Sequence, residues 1–151
     1  MRVVIQRVLH ASVSIGGTET AAIGPGMLVL LGICEEDGDE DIDWLARKIT
    51  ALRIFDDEAG VMNRSVCEVD GSILVVSQFT LMAMTRKGNR PSFIRAGKPD
   101  MAEPLYEYMI KKAKETVPVV ERGIFGADMK VSLLNDGPFT LYLDSEELYG
   151  N

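Results

Sequence analysis

The sequence predicts one α+β domain of mostly antiparallel β-sheet with two main helices packed on it. Short apolar or alternating runs bounded by Gly, Pro and Asp recur along the 151 residues, which is typical of strands. Only two segments place apolar residues at helical spacing. The length suits one domain, and no linker, repeat or low-complexity segment divides residues 1–151.

The first third of the chain predicts strands joined by glycine turns. Gly16-Gly17 is a hairpin signal, and Gly24-Pro25-Gly26 is a second turn. The run after that second turn is almost continuously apolar, which indicates a strand buried on both faces. The strand-like runs are residues 1–9, 11–15, 18–23 and 27–33.

The middle of the chain predicts the first helix and further strands. Acidic residues 39–43 precede an apolar helical face and suit the N-terminal end of the helix dipole. Residues 53–55 and 61–62 predict a short β-pair, and residues 72–80 predict a strong strand. The residues of the helical face are Ile42, Leu45, Ala46, Ile49 and Leu52.

The last third predicts an irregular segment over residues 82–98, a helix over residues 100–116 and two strands. Asp100 and Glu103 have capping-box spacing at the start of that helix. The final strands, residues 131–134 and 139–143, flank four consecutive turn-forming residues. The face of the helix consists of Tyr106, Ile110, Ala113 and Val117.

The turn between the last two strands has two interpretations. Asn135-Asp136-Gly137-Pro138 favours a plain hairpin turn. Alternatively, a Gly-Pro peptide can be cis at modest cost, and Gly leaves main-chain carbonyls accessible. Such a loop can present backbone atoms to a ligand.

Composition narrows the function classes. The net charge of −7 argues against binding of nucleic acid. The charge is uneven, however, because residues 86–98 are basic and contain no acidic residue. Cys34 and Cys67 have no disulfide or zinc spacing, and the longest apolar run is too short for a bilayer. We therefore expect a cytoplasmic protein with no membrane partner.

The inventory of reactive side chains is sparse. His10 is the one histidine, which makes a Ser-His-Asp or Cys-His triad improbable. Phosphate-binding, dinucleotide-binding and metalloprotease motifs are absent, and no side chains have metal-site spacing. We expect neither a metal nor a cofactor.

Two segments offer binding chemistry. Ser77, Gln78, Phe79 and Thr80 end an apolar strand, where released backbone N–H groups can stabilise an oxyanion. The alternative, which these residues alone favour, is an ordinary polar strand end. The basic residues 86–98 favour a solvated loop. The alternative is a loop that contacts RNA phosphates and stacks an aromatic ring on a base. Its candidate RNA-binding residues are Arg86, Lys87, Arg90 and Phe93.

Taken together, these segments resemble the D-aminoacyl-tRNA deacylase family across nearly the whole chain. A single motif of this length is weak evidence of family membership, whereas five motifs in the family's order and spacing are strong evidence. Met84 and Phe139 depart from the family's usual residues without removing a functional group. The matching segments are residues 1–8, 77–81, 87–93, 123–129 and 135–140.

The resemblance implies a homodimer, barrel-like in its sheets, that hydrolyses the ester of D-aminoacyl-tRNA and of glycyl-tRNA mischarged on tRNA-Ala. It implies tRNA as substrate and no DNA partner. The catalytic group implied is Ser77, Gln78, Phe79 and Thr80, with the N–H groups of Phe79 and Thr80 as oxyanion hole and the 2′-hydroxyl of the terminal ribose assisting. The site would therefore need no histidine.

Chiral selection is implied for the loop at residues 135–140. In the family, Gly137-Pro138 is cis and reaches into the partner subunit's pocket, where backbone carbonyls reject L-amino acids. Asn135 and Thr140 belong to the same motif. Two alternatives stay open: a non-catalytic dimeric RNA-binding module, and a small-ester hydrolase that uses Thr80 or Ser77 as nucleophile.

Overall fold

The computed structural model describes residues 1–148, which form eight strands, three α-helices and one 3₁₀ turn. The strands are β1 Arg2–Ile15, β2 Thr18–Ile23, β3 Gly26–Gly32, β4 Phe55–Asp56, β5 Met62–Arg64, β6 Ser72–Ser77, β7 Val120–Arg122 and β8 Lys130–Asp144. The helices are α1 Asp39–Ala51, α2 Pro99–Lys114 and the short α3 Ser145–Leu148, and the 3₁₀ turn is Phe79–Met82.

The main sheet is organised around β1. This strand pairs antiparallel with β3 through its first half, with β2 through its second half, and with β8 along nearly its whole length. The β3–β6 and β6–β7 pairs are parallel. The sheet curls until β2 contacts β6 and β7, so it approaches a closed barrel. The predicted α+β class is confirmed, with a mixed sheet in which antiparallel pairs predominate.

The hydrophobic core has two parts, one on each side of β3. Met27, Val29 and Leu31 point into a large cluster beneath α1 and α2, whereas Leu28 points into a second cluster inside the curled sheet. Burial of both faces is what the continuous apolar run of β3 predicts. Among the helices of residues 1–148, none has the length and apolar character needed to cross a membrane.

The predicted hairpin over the last two strands is wrong. Residues 131–134 and 139–143 belong to one strand, β8, because both runs pair with β1 in the same direction. Asn135 pairs with Val8 and Thr140 with Gln6, so residues 136–139 bulge opposite a single residue, Arg7. The turn-forming residues make a bulge that protrudes from the edge of the sheet instead of reversing the chain.

Several other boundaries differ from the prediction. The strand predicted over residues 72–80 ends at Ser77, where the 3₁₀ turn follows. The capping box at Asp100 is absent: α2 begins at Pro99, after Lys98, which makes no side-chain cap. Proline suits this first position because the missing N–H would have no partner in the helix. Residues 1–9 and 11–15 merge into β1.

Candidate active site

A cavity of about 480 Å³ opens at the carboxyl end of β6. Val76, Ser77, Gln78 and Phe79 form one wall of it. A second wall comes from Phe125, Gly126, Ala127 and Met129. Ala96, Gly97, Pro99 and Val131 complete the lining. The structure therefore brings three of the four predicted catalytic residues to one cavity, with Thr80 next in the chain.

The backbone at the end of β6 leaves its sheet partner abruptly. The Gln78 N–H donates to Leu31 O at 2.8 Å, and the chain then turns into the 3₁₀ turn. In that turn the Leu81 N–H donates to Gln78 O and the Ala83 N–H to Thr80 O. The N–H groups of Phe79 and Thr80 precede these bonds, so neither has an acceptor within the turn. Among the described residues, neither N–H forms a backbone hydrogen bond to a segment outside the turn.

Gly32, the last residue of β3, lets the turn lie against the sheet. A Cβ at this position would lie 2.8 Å from Leu81 Cβ and 2.9 Å from Gln78 O, both closer than side chains tolerate. The absence of a side chain therefore fixes how deeply the turn packs. The sequence reasoning missed Gly32, because a glycine at a strand end gives no signal of what packs on it.

Within residues 1–148, the Thr80 hydroxyl makes no hydrogen bond to a group that accepts its proton. Its contact among the described residues is with the Gln78 side-chain amide, which donates an N–H to the Thr80 oxygen. A threonine without a base is a weak nucleophile at neutral pH. Cys34 is also unsuited to attack, because burial, reinforced by its hydrogen bond to Glu36, raises the pKa of its thiol to about 11.

The bulge of β8 is held by Asn135, the residue that precedes it. The Asn135 side chain accepts a hydrogen bond from the Phe139 N–H at 2.7 Å and donates to Phe139 O at 2.9 Å. The Gly137–Pro138 peptide bond is cis, and both residues are exposed. A Cβ on Gly137 would overlap the backbone N of Phe139, so no other residue fits this conformation.

Arg7 supports the bulge from β1. Its Nε donates to Asp136 O at 2.9 Å, its Nη1 donates to Ile54 O at 2.7 Å, and its guanidinium lies 5.0 Å from the centre of the Phe139 ring. Arg7 faces the bulge because residues 136–139 oppose it in the sheet. The sequence reasoning missed this role; the available signal was a charged residue within an apolar strand.

The predicted selection residues lie apart from the cavity of their own chain. Asn135, Gly137, Pro138 and Thr140 all lie on β8, and none of them is among the residues that line the cavity. Thr140 accepts a hydrogen bond from the Gln6 side chain at 3.2 Å. β8 has β1 as its strand partner within residues 1–148, so its other edge is open. Within one chain the two predicted groups are not brought together.

The basic loop reaches the cavity through an aromatic pair. Phe93 packs edge-on against Phe79, with ring centres 5.1 Å apart, and both rings are partly exposed, 38% and 56%. Backbone hydrogen bonds between Met84 and Ser92 close the loop that carries Arg86, Lys87 and Arg90, all exposed. Of the predicted RNA-binding residues, Phe93 therefore lies beside the cavity, and Arg86, Lys87 and Arg90 lie on the exposed loop that precedes it. In residues 1–148, no group of three or more metal-ligating side chains is arranged to hold a metal ion.

Several known proteins that this chain resembles in sequence are described as tRNA deacylases. A family model described as D-Tyr-tRNA(Tyr) deacylase matches residues 4–144. Proteins described as D-aminoacyl-tRNA deacylase from Flavobacterium johnsoniae and Akkermansia muciniphila are each 60% identical; the matches cover 97% of this chain and 98% and 99% of those proteins. One from Bacteroides thetaiotaomicron is 58% identical, covering 97% of this chain and 98% of that protein.

Two solved structures share the fold. One, named c-Myc DNA Unwinding Element Binding Protein, is 42% identical with a TM-score of 0.91, covering 95% of this chain and 98% of its own. The other, described as a probable eukaryotic D-amino acid tRNA deacylase, is 18% identical with a TM-score of 0.82, covering 94% of this chain and 97% of its own. At that identity the second shows a likeness in fold alone.

Proposed function

This chain belongs to the D-aminoacyl-tRNA deacylase family and is a hydrolase acting on D-aminoacyl-tRNA, and we propose that backbone groups at the end of β6 carry out the hydrolysis. The observation that carries this proposal is the pair of adjacent N–H groups, of Phe79 and Thr80, beside a cavity whose described lining contains no histidine, lysine or carboxylate. An ester can be hydrolysed there only if the oxyanion is stabilised and the proton is moved by another group.

Oxyanion stabilisation is the protein's chemical contribution. A water molecule attacks the ester carbonyl carbon, and the carbonyl oxygen becomes an oxyanion that accepts hydrogen bonds from the two N–H groups. The C–O bond to the ribose then breaks, and the amino acid leaves the tRNA. One such donor contributes about 10² to 10³ in rate. The neighbouring 2′-hydroxyl of the terminal ribose relays the proton: it accepts one from the attacking water and gives its own to the departing 3′-oxygen.

We place chiral selection in the partner subunit of a homodimer. Gly137 and Pro138 are exposed on the open edge of β8 and do not line their own cavity, which supports a role in another chain. Leu134 and Tyr142 of the same strand are 47% and 51% exposed, and such apolar groups on an open edge favour association. The partner's loop then closes the cavity over the α-carbon of the amino acid.

Backbone atoms suit this task because they cannot rotate aside. An L-side chain would meet the carbonyls of Gly137 and Pro138, whereas a D-residue or glycine would not. Rejection of the L-form by a factor of about ten thousand requires roughly 5.5 kcal/mol. Asn135 and Arg7 keep the loop rigid enough to supply that difference. The same geometry admits glycine, so glycyl-tRNA mischarged on tRNA-Ala is a further substrate.

The tRNA end is proposed to lie across the basic loop. Arg86, Lys87 and Arg90 supply positive charge in a chain of net charge −7, and the Phe79–Phe93 pair offers a stacking face. This local charge lets the acceptor end approach although the protein as a whole is acidic. Cytoplasmic tRNA is the expected pool.

One assay separates this function from its alternatives. Wild-type protein is incubated with matched D- and L-aminoacyl-tRNA and with a small activated ester. The proposal predicts release of the D-amino acid alone, with binding that weakens as salt rises. Binding of tRNA without release would indicate an RNA-binding module, and turnover of the small ester without RNA would indicate a side-chain nucleophile.

A further inference from the structure

The hydroxyl of Tyr106 connects the two walls of the cavity from behind. Tyr106 lies on α2 and is fully buried. Its Oη lies 2.9 Å from Val75 O and 2.9 Å from Gly123 O. Both neighbours are carbonyl oxygens, which can only accept, so the single phenolic proton is shared between them.

These two carbonyls belong to the segments that form the cavity. Val75 immediately precedes the wall formed by residues 76–79, and Gly123 begins the segment that carries the wall at residues 125–129. The ring of Tyr106 also packs against Phe125, with centres 5.9 Å apart. One side chain therefore contacts the base of both walls.

The ring of Tyr106 is itself fixed in place. The Arg122 guanidinium lies 5.2 Å from the ring centre, pairs with both carboxylate oxygens of Glu107, and donates to Gly123 O at 3.3 Å. Burial raises the pKa of the Tyr106 phenol to about 12, so the hydroxyl keeps its proton throughout the neutral range. The arrangement is rigid and independent of pH near neutrality.

We propose that Tyr106 is a positioning residue that, together with the hydrogen bond from the Gly123 N–H to Val75 O, holds the spacing between the two cavity walls and thereby the affinity for the charged end of the tRNA. The inference rests on the proposed function, because it takes this cavity as the substrate site. The oxyanion donors are held separately, by the Gln78–Leu31 hydrogen bond and by the packing at Gly32. Loss of the Tyr106 hydroxyl therefore alters substrate binding and leaves the chemical step nearly intact.

The test is Tyr106→Phe, which removes one oxygen and preserves the ring. The fold tolerates this change, because both carbonyls still accept a hydrogen bond: Val75 O from the Gly123 N–H, and Gly123 O from the Arg122 side chain. We expect KM for D-aminoacyl-tRNA to rise about tenfold, because walls that are less firmly held fit the substrate less closely, with kcat within about threefold of wild type. Calorimetric binding of a non-hydrolysable 3′-(D-alanylamino)adenosine should weaken by the same factor.

Tyr108→Phe is the matched control, on the same helix. The Tyr108 hydroxyl donates to Asp43 on α1 at 2.6 Å, and neither residue lines this cavity. Both variants should lower the melting temperature, whereas only Tyr106→Phe should raise KM. Arg122→Gln, which removes the guanidinium from the ring, should raise KM by about threefold.

An unchanged KM in both Tyr106→Phe and Arg122→Gln, or an equal rise in Tyr108→Phe, would overturn the inference. A wild-type protein that releases no D-amino acid would instead refute the proposed function. The adenosine probe distinguishes the two failures, because its binding is measured without turnover.

Discussion

Gly32→Ala is expected to damage catalysis by displacing the oxyanion donors while the fold survives. The added methyl group would lie 2.8 Å from Leu81 Cβ and 2.9 Å from Gln78 O, whereas ordinary contacts begin at 3.4 Å. One partner must therefore move by about 0.6 Å. β3 is held by β1 and β6 on its two sides, so the 3₁₀ turn moves instead. The N–H groups of Phe79 and Thr80 move with it.

A shift of this size is large on the scale of a hydrogen bond. Misplacement of a reacting group by about 1 Å costs on the order of 100-fold in rate, so we expect a 10- to 100-fold fall in the single-turnover rate. The assay is deacylation of D-aminoacyl-tRNA under enzyme excess. KM should change less than the rate, because the wall formed by Phe125 and Met129 stays in place.

Gly24→Ala is the matched control for this substitution. A Cβ at Gly24 meets nothing within 4 Å, and its backbone is not in the left-handed region. It should keep the wild-type rate. The reasoning would be refuted by a Gly32→Ala variant that melts normally and keeps full activity, or by an equal loss of rate in the two variants.

Two further substitutions address the other parts of the site. Thr80→Ala should retain activity within about tenfold in a single-turnover assay, because the backbone N–H remains and the hydroxyl has no base; a loss of about a thousandfold or more would make the hydroxyl the nucleophile. Arg7→Lys should lower D-substrate turnover by about tenfold, because a lysine cannot donate to Asp136 O and Ile54 O in the same fixed geometry. Arg53→Lys, which loses exposed contacts to Asn63, is its control, and equal activity in the two variants would exclude a bracing role for Arg7.

The periodic elements could be predicted from the sequence because their signals are local. α1, β2 and β3 follow directly from apolar spacing and glycine turns. The predicted capping box is wrong because the helix begins at Pro99, one residue before Asp100, and proline favours the first helical position. The three-residue strand β7 has no periodic signal, because its place is set by pairing with β6.

The bulge shows where local reasoning fails. Four turn-forming residues specify a departure from the strand, but its direction depends on what the flanking runs pair with. Both flanking runs pair with β1, so the turn-forming residues between them make a bulge and not a hairpin. The supporting residues were missed for the same reason: Arg7 and Tyr106 act on residues 129 and 17 positions away in the sequence.

The central claim, that one subunit supplies the oxyanion donors and the other the chiral selector, can be tested by mixing two defective variants. Phe79→Pro removes one N–H at a position where proline fits the first turn, and Gly137→Ala disrupts the bulge. Phe79→Ala, which keeps the N–H, is the control for the lost ring.

Each defective variant alone should release D-amino acid slowly. If the two components come from different subunits, a mixed dimer has one intact site and one doubly defective site. Random mixing should then restore about a quarter of the wild-type deacylation rate, since half of the dimers are mixed and one of the two sites in each is intact. Recovery near this level would show that each site is built from both subunits. No recovery, with mixed dimers verified by mass, would contradict it.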